Sequence, residues 1–172
     1  LQRTVGFLKD VFQVPTQEHD QAALPTTLVQ WMCEHFQIER CSLMLLDSPR
    51  ETLSIAAQQG IDPGVAGKVK VRVGQGISGW VARNRKPLFV RVREDSDSPP
   101  HTDQDAYNSD SFICVPLTYR DRTCGVLNLS NKRDGEVFDE FDLDRAVLVG
   151  SIIAMTLGSQ ELVRKAASAT WS

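Results

Sequence analysis

The sequence predicts an α+β fold built on an antiparallel sheet, and three patterns carry that prediction. Phe112 to Tyr119 and Thr123 to Ser130 are apolar runs joined by Arg120-Asp121-Arg122, a polar connection too short for anything but an antiparallel hairpin. Val69, Val71 and Val73 alternate with Lys70 and Arg72, the period-2 signature of a strand with one wet face. Helical periodicity appears at both ends of the chain, so helices are available to cover one face of the sheet.

Element by element, Leu1, Val5, Leu8 and Phe12 form one stripe of a first helix that Pro15 ends. A second helix starts between Asp20 and Pro25, because Asp caps a first turn and Pro is tolerated there. Leu24, Leu28, Trp31, Met32 and His35 mark its buried side, and it ends by Gln37. Cys41 to Asp47 and Leu53 to Gln58 are adjacent strands around the turn Ser48-Pro49-Arg50-Glu51. Three glycines in Gly74-Gln75-Gly76-Ile77-Ser78-Gly79-Trp80 mark a strand-to-helix junction, and Pro87 to Val90 resumes an extended segment. Arg93 to Asp110 is a long polar, acidic loop with Pro99-Pro100 at its middle, of the kind that serves as a lid or binding loop or is simply disordered. The last helix runs from about Asp139 to Lys165, and between Ala146 and Leu157 it is apolar on nearly every side. A single sheet face cannot cover such a helix.

A chain of 172 residues fills one core and is short for two. Its 41% hydrophobic and 24% charged residues exclude a mainly disordered or fibrous chain. Nineteen basic against 22 acidic residues leave a formal charge of −3, which gives no general pull toward nucleic acid. The longest apolar stretch is too short to span a bilayer, and the first residues lack a secretory pattern. Cys33, Cys41, Cys114 and Cys124 have no CxxC spacing, and a reducing, cytoplasmic setting fits them. His19, His35 and His101 form no ligand set for a metal, and His101 with Asp103 and Asp105 lacks the length and central Gly of a calcium loop.

Four stretches, in this order, resemble the GAF domain family of bacterial and other signalling proteins: Arg40 to Asp47, Gly74 to Ala82, Cys114 to Leu117, and Gly125 to Lys132. The resemblance covers roughly residues 20 to 160. It implies a sheet of five or six antiparallel strands, with the N- and C-terminal helices on one face and a ligand pocket on the other. It also implies a regulatory role, self-association through the terminal helices and a covalently linked output domain. Family ligands include cyclic nucleotides, tetrapyrroles, small anions and metabolites, and the sequence names no cofactor among them; the alternative is a ligand-free structural module that serves dimerisation and signal relay. The organisation that follows is a connecting and dimerisation helix over 1–14, a GAF-like domain over 19–165 ending in a signalling helix, and a tail over 166–172.

For the pocket, Ile77 and Trp80 on the short helix, Tyr107, Ser109 and Ser111 at the end of the acidic loop, and Phe112 offer an aromatic wall with hydroxyls. The alternative is that Trp80 and Phe112 only fill core. Asn131-Lys132, Phe138 and Asp142 are similar to the Asn-Lys-Phe-Asp-Glu motif of cyclic-nucleotide-binding members, with Leu143 in place of the final acid. Lys132 and Asp142 then read as a bridge tying strand to helix. Leu1, Val5, Leu8 and Phe12, with Leu148, Ile152 and Met155 on the last helix, are the dimerisation candidates; the alternative folds the first helix back on the last within one monomer. Some GAF-like proteins are free methionine sulfoxide reductases with a reactive Cys before the pocket strand. His101 to Asp110 contains none, so no enzymatic activity and no covalent tetrapyrrole are expected.

Overall fold

The computed structural model describes residues 6, 7, 9, 10, 13, 22–91 and 111–169, the side chains of 161–167 excepted. Helix α1 (Leu24–His35) leads into β1 (Ile38–Asp47), a 3₁₀ turn at Ser48–Arg50, and β2 (Thr52–Gln59). The one-turn helix α2 (Pro63–Ala66), β3 (Lys70–Arg72), α3 (Gly76–Asn84) and β4 (Leu88–Val90) follow. After the segment 92–110 come β5 (Phe112–Tyr119), β6 (Arg122–Lys132) and α4 (Glu140–Ala169). The six strands form one sheet in the order β3-β2-β1-β6-β5-β4, and every neighbouring pair is antiparallel.

Two apolar layers flank the sheet. On one side α1 lies along β1 and β2, and α4 lies along β5, burying Met32, Cys33, Leu43, Val115, Leu127, Leu129, Val149 and Ile153. Gly150 lets α4 come this close, since a Cβ there would stand only 3.2 Å from Val115 Cγ2. On the other side α3 packs Ile77, Val81 and Ala82 onto Met44, Leu53, Phe112, Cys114 and Val126. Strict alternation along β5 and β6 feeds both layers at once. Each such buried branched side chain stabilises the fold by about 1.5–3 kcal/mol.

Several boundaries differ from the sequence reading. The β5–β6 turn contains two residues, not three: Arg120 and Asp121 both have positive φ, while Arg122 pairs with Tyr119. That is the backbone of a tight hairpin turn whose twist matches the strands. Helix α2 went unpredicted because four residues carry no readable period; Asp62 caps it, accepting from Val65 N at 3.1 Å. The strand at Val69 to Val73 is only three residues long, because Gly74, at φ +91, turns the chain into α3. Strand β6 extends to Lys132, beyond the apolar run.

At the N-terminus, Gly6, Phe7, Lys9, Asp10 and Gln13 are helical. Phe7 is buried against Trp31, His35 and Phe36 of the α1 end, and the Arg145 guanidinium lies 5.6 Å from its ring. The N-terminal helix thus meets the body of its own chain through a residue outside the stripe read from the sequence. Leu1, Val5, Leu8 and Phe12 lie outside the described residues. On α4, Leu148 and Met155 are exposed, but Ile152 is a correction to the dimerisation set: it is 6% exposed and belongs to the core facing the sheet.

Candidate ligand site

The face of the sheet under α3 is not uniformly apolar. Ser42, Asn128 and Ser130 are all buried, and they occupy alternate positions of β1 and β6 that point to the α3 side. Ser42 pairs with Asn128, which pairs with Cys114; Arg40 pairs with Ser130, which pairs with Phe112. Two parallel rungs therefore cross the centre of the sheet.

The first rung is tied to the helix above it. Ser78 Oγ of α3 donates to Asn128 Oδ1 at 3.2 Å, and Asn128 Nδ2 donates to Ser42 Oγ at 3.1 Å. In the second rung, Ser130 is 1% exposed and its hydroxyl has no hydrogen-bond partner among the described residues. A buried hydroxyl left unsatisfied costs about 1–3 kcal/mol, so a polar group brought to it would recover that energy. Half-buried Arg40, whose Nε donates to Gly60 O at 3.3 Å, stands at the end of this rung.

Of the pocket residues read from the sequence, Ile77 and Phe112 are core, 0% and 1% exposed, and Trp80 packs at the edge of the same cluster. Ile77 and Phe112 thus fill core in this structure, the alternative reading for Phe112, while Trp80 keeps part of its surface exposed. Ser111 Oγ accepts from Phe138 N at 2.9 Å and so tethers the approach to α4. Tyr107 and Ser109 fall in the segment outside the described residues. Sequence reasoning missed Ser42, Asn128 and Ser130. The signal was present in Val126-Leu127-Asn128-Leu129-Ser130, where the polar positions read as solvent-facing unless a helix covers them.

On the far side of β6 the chain builds a charged hub. Lys132 Nζ stands 3.2 Å from Asp142 Oδ2, and Arg145 Nη2 donates to Asp142 Oδ1 at 2.7 Å. Asp139 and Asp142 also cap α4 reciprocally, each carboxylate accepting the other's backbone N–H at 2.8 and 3.1 Å. Burial alone would push the Asp142 carboxyl up. The Asp139 N–H, Arg145 and Lys132 outweigh it and hold the group below the usual carboxylate range.

The sequence profile of the GAF domain family matches residues 22–157. The chain belongs to the GAF domain family. Within it, this GAF domain is 25% identical over 154 residues to the nitrogen fixation protein VnfA of Azotobacter vinelandii, covering 87% of the chain. It spans 29% of that protein's length. The fold is similar to the GAF domain of a phosphoenolpyruvate-protein phosphotransferase from Coxiella burnetii, with a TM-score of 0.80, 17% identity, and coverage of 94% of this chain and 96% of the other. It is also similar to a free methionine-R-sulfoxide reductase from Neisseria meningitidis, with a TM-score of 0.74, 22% identity, and coverage of 91% and 89%. Among the described residues no helix is long and apolar enough to cross a membrane.

The sulfoxide reductase makes the thiols of this GAF domain worth locating. Cys33, Cys41 and Cys114 are completely buried; Cys124 is half-buried, its thiol donating to Leu117 O at 3.1 Å. Contact with the Cys33 thiol and burial push Cys41 well above its ordinary pKa.

Proposed function

We propose that this GAF domain is a non-enzymatic regulatory module that takes a small polar ligand on the Arg40–Ser130 rung and relays its occupancy through α4 to a linked output domain. The observation that carries the reading is the buried, unsatisfied Ser130 hydroxyl beside the Ser42–Asn128–Ser78 network. A polar ligand group meeting that hydroxyl would remove the cost of leaving it unpaired. The likeness to VnfA, a protein of which this chain spans less than a third, supports a module inside a larger regulator.

The relay rests on β5 and β6. Asn128 and Ser130 face the site, while Leu127 and Leu129 of the same strand pack in the layer that holds Val149 and Ile153 of α4. Lys132, at the end of β6, grips the first turn of α4 through Asp142. A ligand that shifts β6 by a fraction of an ångström acts on the helix at several points, and packed cores pass such shifts on as rigid-body movements. Phe141, Leu148 and Met155 recur every seven residues along α4, and all three are exposed. With Val147 they offer a seam for the same helix of a second copy, so that ligand-induced rotation would be read as a change at a two-fold interface. Residues 158–169 of α4 run past the family match and suit a connection to the output domain.

The test is native mass spectrometry of protein taken directly from cells, followed by a thermal-shift screen over nucleotides, tetrapyrroles, anions and metabolites. A binder raises Tm through linkage. Ser130→Ala, which removes the hydroxyl without adding volume, reduces that shift. Turnover of free methionine sulfoxide by the isolated chain would replace this reading with the enzymatic one.

A further inference from the structure

A second feature lies away from the ligand rungs, at the turn end of the β5–β6 hairpin. There the C-terminus of α3 and the turn are tied together: Arg85 Nη1 donates to Asp121 O at 2.8 Å, and Thr123 Oγ1 donates to Ala82 O at 3.1 Å. The tie gathers Arg85, Lys86, Arg120 and Arg122, all exposed, around a single acid, Asp121. Among the described residues no carboxylate is ion-paired with any of the four. The whole chain carries a formal charge of −3, so this gathering of cations runs against its general balance. Two of them also occupy costly backbone. Arg85 has a φ of 54° and Arg120 a φ of 48°, left-handed positions where Gly or Asn sits with less strain. The Arg120 guanidinium lies 5.4 Å from the centre of the Tyr119 ring, and that ring lies against Gly158 of α4, where a Cβ would collide with it. The cationic tip therefore stands beside the point at which α4 runs past the family match.

We infer that this tip is a docking surface for an acidic segment of a partner polypeptide, whose carboxylates are gripped by Lys86, Arg120 and Arg122 beside the outgoing stretch of α4. The inference depends neither on the ligand site nor on the seam between copies. Charge complementarity selects the occupant, and guanidinium forks bind carboxylates through two parallel hydrogen bonds. Arg85 is already held by the Asp121 carbonyl and Arg120 by the Tyr119 ring, so part of the ordering cost of binding is met in the free protein. Nucleic acid is a poorer fit. Few phosphates reach a tip this small, and the rest of the chain, more negative than the total of −3, repels an extended polyanion. Stable binding to an anionic membrane takes an apolar anchor beside the basic residues. The large apolar side chains exposed among the described residues, such as Val65, Phe141 and Met155, belong to other segments. A second copy cannot seat its own tip on this one by two-fold symmetry, since the cations would face each other.

The experiment is selection of a phage-displayed library of random peptides against the whole chain, with the double variant Lys86→Glu/Arg120→Asn as counter-target. Lys86 is exposed and Asn tolerates the left-handed turn, so the variant keeps the fold, which circular dichroism verifies. Arg122→Gln gives a second, more conservative counter-target, and Lys68→Glu, a charge reversal at an exposed site before β3, is the control. Enriched peptides are expected to be net negative. Their affinity should fall at least tenfold in the double variant, hold in Lys68→Glu, and weaken as salt rises. Amide NMR shifts on binding should map to Lys86, Arg120, Arg122 and Gly158. No enrichment over the counter-targets overturns the inference. So does enrichment of neutral or basic peptides, or an equal loss of affinity in Lys68→Glu. Oligothymidylate or phosphatidylserine vesicles that bind the tip more tightly than the enriched peptides would overturn it in favour of nucleic acid or membrane. Self-association in sedimentation that the double variant dissolves would overturn it in favour of a contact between copies.

Discussion

Asn128 on β6 donates through Nδ2 to the hydroxyl of Ser42 on β1, 86 residues earlier in the chain, at 3.1 Å, while its carbonyl oxygen accepts from Ser78 on α3. One amide therefore fixes the two central strands and the helix above them. Asn128→Leu leaves both serine hydroxyls short of a partner in a dry interior. The expected loss is about 1–3 kcal/mol in urea unfolding. A change within 0.3 kcal/mol would mean that the network does not bear on the fold.

Acid should unfold this domain partly through Asp142. Its carboxyl has a folded pKa below its unfolded one, so its contribution is complete above the ordinary carboxylate range and is lost as pH falls through the folded value. Stability should be flat from neutral pH to about pH 5 and then decline, following the unfolded carboxylate near 3.9. Asp142→Asn should be less stable at neutral pH by about 2–4 kcal/mol, because Lys132 and Arg145 lose their counter-charge, and its decline in acid should be shallower. Equal slopes for both proteins would assign the acid sensitivity elsewhere.

Gly79 sits where α3 is pressed onto β3. An added Cβ would collide with the Arg72 carbonyl oxygen, and the Gly74 N–H already spends itself on the Gly79 carbonyl at 2.7 Å. Gly79→Ala should cost about 1–3 kcal/mol by overpacking, despite the better helix propensity of Ala. A stabilised variant in thermal unfolding would show that the helix can lift away freely.

Thiol accessibility separates the regulatory from the enzymatic reading. Iodoacetamide on the native protein should label Cys124 slowly and Cys33, Cys41 and Cys114 only on unfolding, since burial denies the reagent an approach. Rapid modification of any one of them at pH 7, read by peptide mass spectrometry, would point to an activated nucleophile.

The order of elements was legible because each is set by a local period: alternation in β5 and β6, a stripe at every third or fourth residue in α1. Boundaries shifted where a single backbone conformation decides them, as at Arg120-Asp121 and Gly74. Lys132 and Asp142 could be paired from their motif, since the bridge joins consecutive elements. The ligand rungs could not be read this way. Ser42 and Asn128 meet only because β1 pairs with β6, and no spacing in the chain announces that register. Ile152 misled for a related reason: on a helix apolar nearly all round, the buried face is chosen by the sheet and by Gly150, not by the helix's own pattern.

The relay from the rungs to α4 is the central claim, and hydrogen–deuterium exchange on the whole chain, with and without the ligand found by screening, tests it most directly. Protection should appear in peptides covering β1 at Arg40–Ser42 and β6 at Asn128–Lys132. A change in exchange should accompany it along α4 between Asp142 and Met155, although no ligand atom touches that helix. Both effects should weaken together in Ser130→Ala. Protection of β1 and β6 with α4 unchanged, or an α4 response that is undiminished in Ser130→Ala, would contradict the account.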